Sequence, residues 1–235
     1  MAVYKILTFM GWMKRQGLRV TILLFCLLLF GAAFSQKSST GNWFIYFGNQ
    51  SINKKWNWHN EVQYRNYNMA GDLEQLMLRT GIGHNLTDNN NLLLGYAFIL
   101  SGRYDSAGHK NYTNEHRIFQ QFITRQNFGR IFLQHRYRLE ERFLPGDFKM
   151  RFRYFLAANI PLNKKEMSAK AVYASLYNEI FIHTESPLFD RNRIYGALGY
   201  VINKSLKAEI GFMSQLHEKS HRNQLQVVFF NNLPF

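Results

Sequence analysis

The chain has 235 residues, 29 of them Lys or Arg and 15 Asp or Glu, for a formal charge of +14, and it carries one cysteine. A lone thiol excludes a disulfide framework, so a chain of this length must be held by a large core or a closed sheet, and one domain suffices for it. The excess of cations calls for an anionic counterpart, whose nature depends on the compartment.

In chain order, the first feature is an export signal. Lys14, Arg15 and Arg19 precede an apolar run from Val20 to Phe30 that is too short to span a bilayer as a helix, and Ala33, Phe34 and Ser35 form an A-x-S site before Gln36. Residues 1–35 are therefore expected to be a signal peptide cleaved after Ser35, with residues 36–235 as one exported domain. Met1 to Trp12 are either an upstream start or an extended basic region. Cys26 would leave with the signal. The charge then falls to +10, because Lys5, Lys14, Arg15 and Arg19 are lost and residues 1–35 hold no acid. Export through the Sec pathway argues against nucleic acid as the partner and for anionic solutes, lipopolysaccharide or a charged interior.

Beyond Ser35 no apolar stretch approaches the roughly 20 residues of a membrane helix, and the hydrophobic period is two. It begins with GNWFIYFGN at 41–49. In 55–66 the even residues Trp56, Trp58, Val62 and Tyr64 oppose Lys55, His59, Glu61, Gln63 and Arg65. Leu76, Leu78 and Ile82 then oppose Gln75, Arg79, Gly81 and Gly83, and LTDNN turns the chain. Leu92, Leu94, Tyr96, Phe98 and Leu100 make the next apolar face, and Ile118 and Phe122 oppose Glu115, Arg117, Gln121 and Arg125. In HRYRLEER, at 135–142, Arg136, Arg138, Glu140 and Arg142 share one side and Tyr137 and Leu139 the other. Phe148, Met150, Phe152, Tyr154 and Leu156 oppose Lys149, Arg151 and Arg153. Looser segments at 170–182, 191–202, 206–216 and 222–235 bring the total to about eleven strands. Single-chain bacterial barrels have even numbers, so ten or twelve is expected, with either one strand missed or split or the first segment as a plug or edge. Short connections at 86–90, 126–129 and 203–205 are expected to alternate with longer ones at 102–111, 143–147, 184–190 and 217–221.

The placement of cations decides which face is enclosed. Arg65, Arg79, Arg117, Arg125, Arg136, Arg138, Arg142, Arg151, Arg153 and Arg193 fall within strands, while lysines such as Lys54, Lys110, Lys164 and Lys204 fall in turns. Guanidinium is weakly hydrated and pairs bidentately with carboxylates such as Glu61, Glu115, Glu140 and Glu179, which suits an enclosed face. An arginine facing lipid at mid-bilayer costs roughly 2 to 4 kcal/mol, so exposing the three at 136–142 would cost about 10 kcal/mol. The expected fold is thus an all-β, antiparallel up-and-down transmembrane barrel of 10 to 12 strands, with arginines and carboxylates in the lumen. Leu225, Val227, Phe229 and the terminal Phe235 read as the signal that barrel-assembly machinery recognises.

GNWFIYFG, EVQYR at 61–65, NEHRIFQQ at 114–121, RYRLEER at 136–142, RFRY at 151–154, YNEIF at 177–181 and NRIYGALGY at 192–200 together resemble domain-of-unknown-function family 2490, a group of outer-membrane proteins. The resemblance covers nearly the whole exported chain. It implies a barrel in the outer membrane of a Gram-negative bacterium, in contact with lipid and lipopolysaccharide, and it implies no chemistry.

Two readings of the lumen follow. Arginine rings in a narrow pore or binding barrel favour small anions, whereas Arg and Glu in pairs, with Glu209 as a fifth inward acid, would close it. The competing class is a lipid or lipopolysaccharide hydrolase, for which QLHEKSHRNQ offers His217, Glu218, Ser220, His221 and Asn223. Neighbouring loop residues seldom form a triad, and a solvated loop is the default reading. His59, His84, His116 and His135 lie on separate strands without ligand spacing, so neither metal nor cofactor is assigned. GIGHN at 81–85 lacks the following helix of a phosphate loop, and its glycines are expected to relieve crowding or bend the strand.

Overall fold

A computed structural model of the chain describes residues 40–68 and 71–232. All of its regular structure is β: β1 (Gly41–Ser51), β2 (Trp56–Asn66), β3 (Leu73–Asn85), β4 (Asn90–Tyr104), β5 (Lys110–Phe128), β6 (Ile131–Leu144), β7 (Asp147–Pro161), β8 (Val172–His183), β9 (Phe189–Val201), β10 (Leu206–Leu216) and β11 (His221–Asn231). Each strand pairs antiparallel with the next, and β1 pairs with β11 to close a barrel. The expected signal peptide, Leu233 and Phe235 lie outside the described residues.

The expectation of an even count, with the first segment as a plug or edge, is corrected. Among the described residues there are eleven strands, and β1 is a full member of the wall. After an odd number of up-and-down passes the first and last strands must run the same way. The seam is accordingly a parallel ladder from Gly41↔Gln224 to Gly48↔Asn231. Parallel pairing is slightly weaker per residue than antiparallel, but closure removes both free edges.

The alternation of short and long connections is also only partly seen. The span 143–147 tightens to the turn 145–146, where Gly146 takes φ +73°. The connection 162–171 lies at the same mouth as the short turns, yet it is the longest. It is folded on itself: Asn163 accepts from the Val172 amide at 2.8 Å and donates to the Lys170 carbonyl at 3.1 Å.

One parity points inward all the way round, odd on β2 to β5 and β7 to β10 and even on β6 and β11, as the cross-strand partners require. The outward residues are large and apolar: Phe44, Val62, Leu78, Leu94, Phe152, Leu198, Ile210 and Phe229 all stand exposed. Arg79, Glu140, Arg153 and Glu179 are buried. This inverts the arrangement of a soluble barrel, whose apolar residues would be the hidden ones.

Two inward glycines are explained by close approach. A Cβ on Gly83 would overlap the Asn57 side chain, and one on Gly95 would overlap the ring of Phe119, which is fully buried. The Gly83 contact is the crowding relief expected for GIGHN. Gly95→Val should therefore force Phe119 out of place and destabilise the barrel by about 1 to 3 kcal/mol. Urea titration of the folded barrel checks this, and an unchanged midpoint would count against the packing described.

Candidate functional site

Most of the inward-facing charges form one connected lattice. Glu140 on β6 is its hub: Arg151 lies at 2.6 Å, Arg153 is in direct contact, and Arg117 and Arg138 stand at 3.6 Å. Arg117 also binds Glu115 at 2.6 Å, which holds Arg142 at 2.6 Å. Arg153 reaches on to Glu179 at 2.6 Å, and Glu179 is shared with Arg136 at 2.7 Å and Arg193 at 3.6 Å. Arg151 continues to Asp190 at 2.6 Å. Separately, Glu61 pairs with Arg79 and lies 3.5 Å from His59. Every charge in this lattice that loses water gains an opposite charge or a hydrogen bond, which is the condition for burying it.

Aromatic rings fill the space between the ions. Arg138 lies over Phe119 at 4.4 Å, Arg153 and Arg193 over Phe181 at 4.5 and 4.6 Å, and Arg65 over Trp43 at 3.7 Å. The result is a layer of side chains across the barrel. Glu140, Phe119 and Met213 are 0% exposed, Phe181 1% and Trp43 3%, so the side chains at this level are closely packed.

The layer divides the predicted arginines. Arg65, Arg79, Arg125, Arg136, Arg138, Arg153 and Arg193 line a cavity of about 530 Å³ at the mouth that carries turns 52–55 and 86–89. Arg117, Arg142 and Arg151 do not line it, and they sit with Glu115 and Glu140 toward the opposite mouth. Lys207 joins the cavity, where the acids are Glu61, Glu179 and Glu209, leaving an excess of five positive charges. Arg65 has no carboxylate within ion-pair distance among the described residues; its partners are the Gln63 and Gln75 side-chain oxygens. Glu209 bonds instead to the hydroxyl of Tyr173 at 2.8 Å.

Residues 40–226 match the model of a family described as protein of unknown function (DUF2490). The chain belongs to that family. No curated protein and no solved structure matches it.

This DUF2490 barrel has a second cavity, of about 540 Å³, at the other mouth, lined by His183, Asp190, His217, Glu218 and Ser220 among others. It contains part of the segment offered above as a hydrolase site. The His217 amide donates to the Ser220 carbonyl at 2.8 Å, and the His217 ring meets Gln215 at 3.0 Å. Among the described residues no hydrogen bond joins the Ser220 hydroxyl to His217 or His221. Burial, and then the nearby Arg191, hold His217 below the ordinary histidine pKa.

Asp190 was not among the inward carboxylates read from the sequence. A register shift between Phe181 and Ile182 breaks the parity at the start of β9 and turns this even-numbered residue onto Arg151. Trp43, Phe119 and Phe181 were also missed as lumen residues, although their parity within their strands would have placed them inside.

Proposed function

We propose that this DUF2490 protein spans the bacterial outer membrane and holds a small anionic solute in its one-ended cavity, without passing it through the barrel. The single supporting observation is the charge excess of that cavity beside a layer of buried side chains. Surplus guanidinium groups in a partly dry site favour phosphate or carboxylate ligands. The outward apolar belt, the export signal expected at 1–35 and the expected terminal assembly signal at Phe235 support the membrane location. The packed layer beside the cavity supports binding rather than conduction.

The test combines two measurements. In planar bilayers the unmodified protein should give conductance at the noise level, whereas a steady anion-selective current would restore the pore. Calorimetric titration with acetate and phosphate should show saturable binding that Arg65→Gln with Arg193→Gln weakens at least about tenfold, as expected when charge-assisted bonds of roughly 1.5 to 3 kcal/mol each are removed. No binding by the unmodified barrel would leave the ion lattice as a device that fixes strand register alone.

A further inference from the structure

The cavity has two unlike flanks. Its arginines come mainly from β2, β3, β6 and β7, but the wall across the seam is largely apolar, with Lys207 and Glu209 of β10 beside Phe230 and Val228: Ile45 and Val228 pack with Tyr195, joined by Phe47, Tyr177 and Phe230. The rings of Tyr177 and Tyr195 stack at 4.5 Å and those of Phe47 and Phe230 at 5.4 Å. Trp43 stands where the two flanks meet. Its cross-strand partners are Arg65 on one side and Gln226 on the other, and the Arg193 guanidinium lies 5.0 Å from its ring.

This junction holds donors without acceptors. Trp43 is 3% and Gln226 2% exposed, and neither the indole Nε1 nor the Gln226 Nε2 has a hydrogen-bond partner among the described residues. Native proteins seldom leave buried N–H groups unmade. Here the Trp43 ring lies against Arg65, which has no carboxylate partner among the described residues, and Gln226 pairs with Trp43 across the seam, so the junction offers an oxyanion N–H donors and positive charge together. An inorganic anion would use that end and leave the apolar wall bare. The cavity of about 530 Å³ is instead of the size that takes a small organic molecule.

We propose that the ligand is an amphiphilic monoanion, a carboxylate with a hydrocarbon or aromatic body. Its head binds at Arg65, Trp43, Gln226 and Arg193, and its body lies along Ile45, Val228 and Phe230. This rests on the anion-binding reading above and adds the ligand's apolar part.

The experiment titrates the ¹⁵N-Trp-labelled full barrel in zwitterionic micelles with acetate, butyrate, hexanoate and octanoate, with hexanol as the uncharged control. Free concentrations are corrected for partition into micelles, and the Trp43 indole resonance, assigned with Trp43→Phe, is the readout. A saturable downfield shift is expected, with Kd tightening roughly threefold to fourfold per methylene and hexanol binding far more weakly than hexanoate. Equal Kd for acetate and octanoate would overturn the amphiphile while leaving the small-anion reading intact. Hexanol binding as tightly as hexanoate, or no saturable shift with any probe, would overturn both.

Discussion

Glu140→Gln should be the most damaging single substitution in the lumen. It keeps the shape of the side chain and deletes the charge that Arg151 and Arg153 contact directly and that Arg117 and Arg138 face at 3.6 Å. All four arginines are buried, so their charges would remain in a dry layer short of a counter-ion. Breaking one buried pair by removing a partner costs about 3 to 5 kcal/mol, and a hub serving four cations belongs at the upper end. The expected result is a barrel that refolds poorly in lipid vesicles, or whose urea midpoint falls accordingly, with the folded fraction read from heat-modifiable gel mobility. Arg153→Gln alone should also destabilise. Because the two residues touch, the double variant should lose less than the sum of the two single losses. Strict additivity, or a loss below about 1 kcal/mol for Glu140→Gln, would mean that the lattice does not hold the lumen together.

The second large effect concerns the other face. Ile210 lies near the middle of β10, points outward and is 56% exposed, with Leu198 and Val227 as its outward-facing neighbours. If this belt meets hydrocarbon, Ile210→Arg should cost about 2 to 4 kcal/mol of folding stability in vesicles. The control is Leu162→Arg in the connection 162–171, which is exposed beyond the strands and should stay within about 0.5 kcal/mol of the unmodified protein. A water-facing belt would make the two substitutions equally harmless, and that result would remove the barrel from the membrane.

Much of this was legible in the residues because a strand's period of two leaves little freedom. Once Arg136, Arg138 and Arg142 shared a side, the energy of placing arginine in lipid put that side inward, and pairing then carried the parity round the whole wall. Glu61, Glu115, Glu140 and Glu179 all came out on the ionic side for that reason. Three things were less legible. The seam joins residues almost at opposite ends of the chain, so no local pattern signals that β1 completes the wall. The shift after Phe181 exchanges faces for Asp190 alone, against the alternation on either side of it. The depth of each arginine depends on how far every strand is staggered against its neighbour, and this is what separates the cavity group from Arg117, Arg142 and Arg151.

The parallel ladder between Gly41 and Gly48 on one side and Gln224 and Asn231 on the other has a directional outcome. A cylinder with an even number of passes returns its tail to the rim where it began, but this one starts at the rim opposite to where it finishes. Set in a bilayer, it would hold Thr40 in one aqueous compartment and Asn232 in the other. Reporter peptides attached ahead of β1 and after β11 would then be reached by proteases added to different sides of the same membrane.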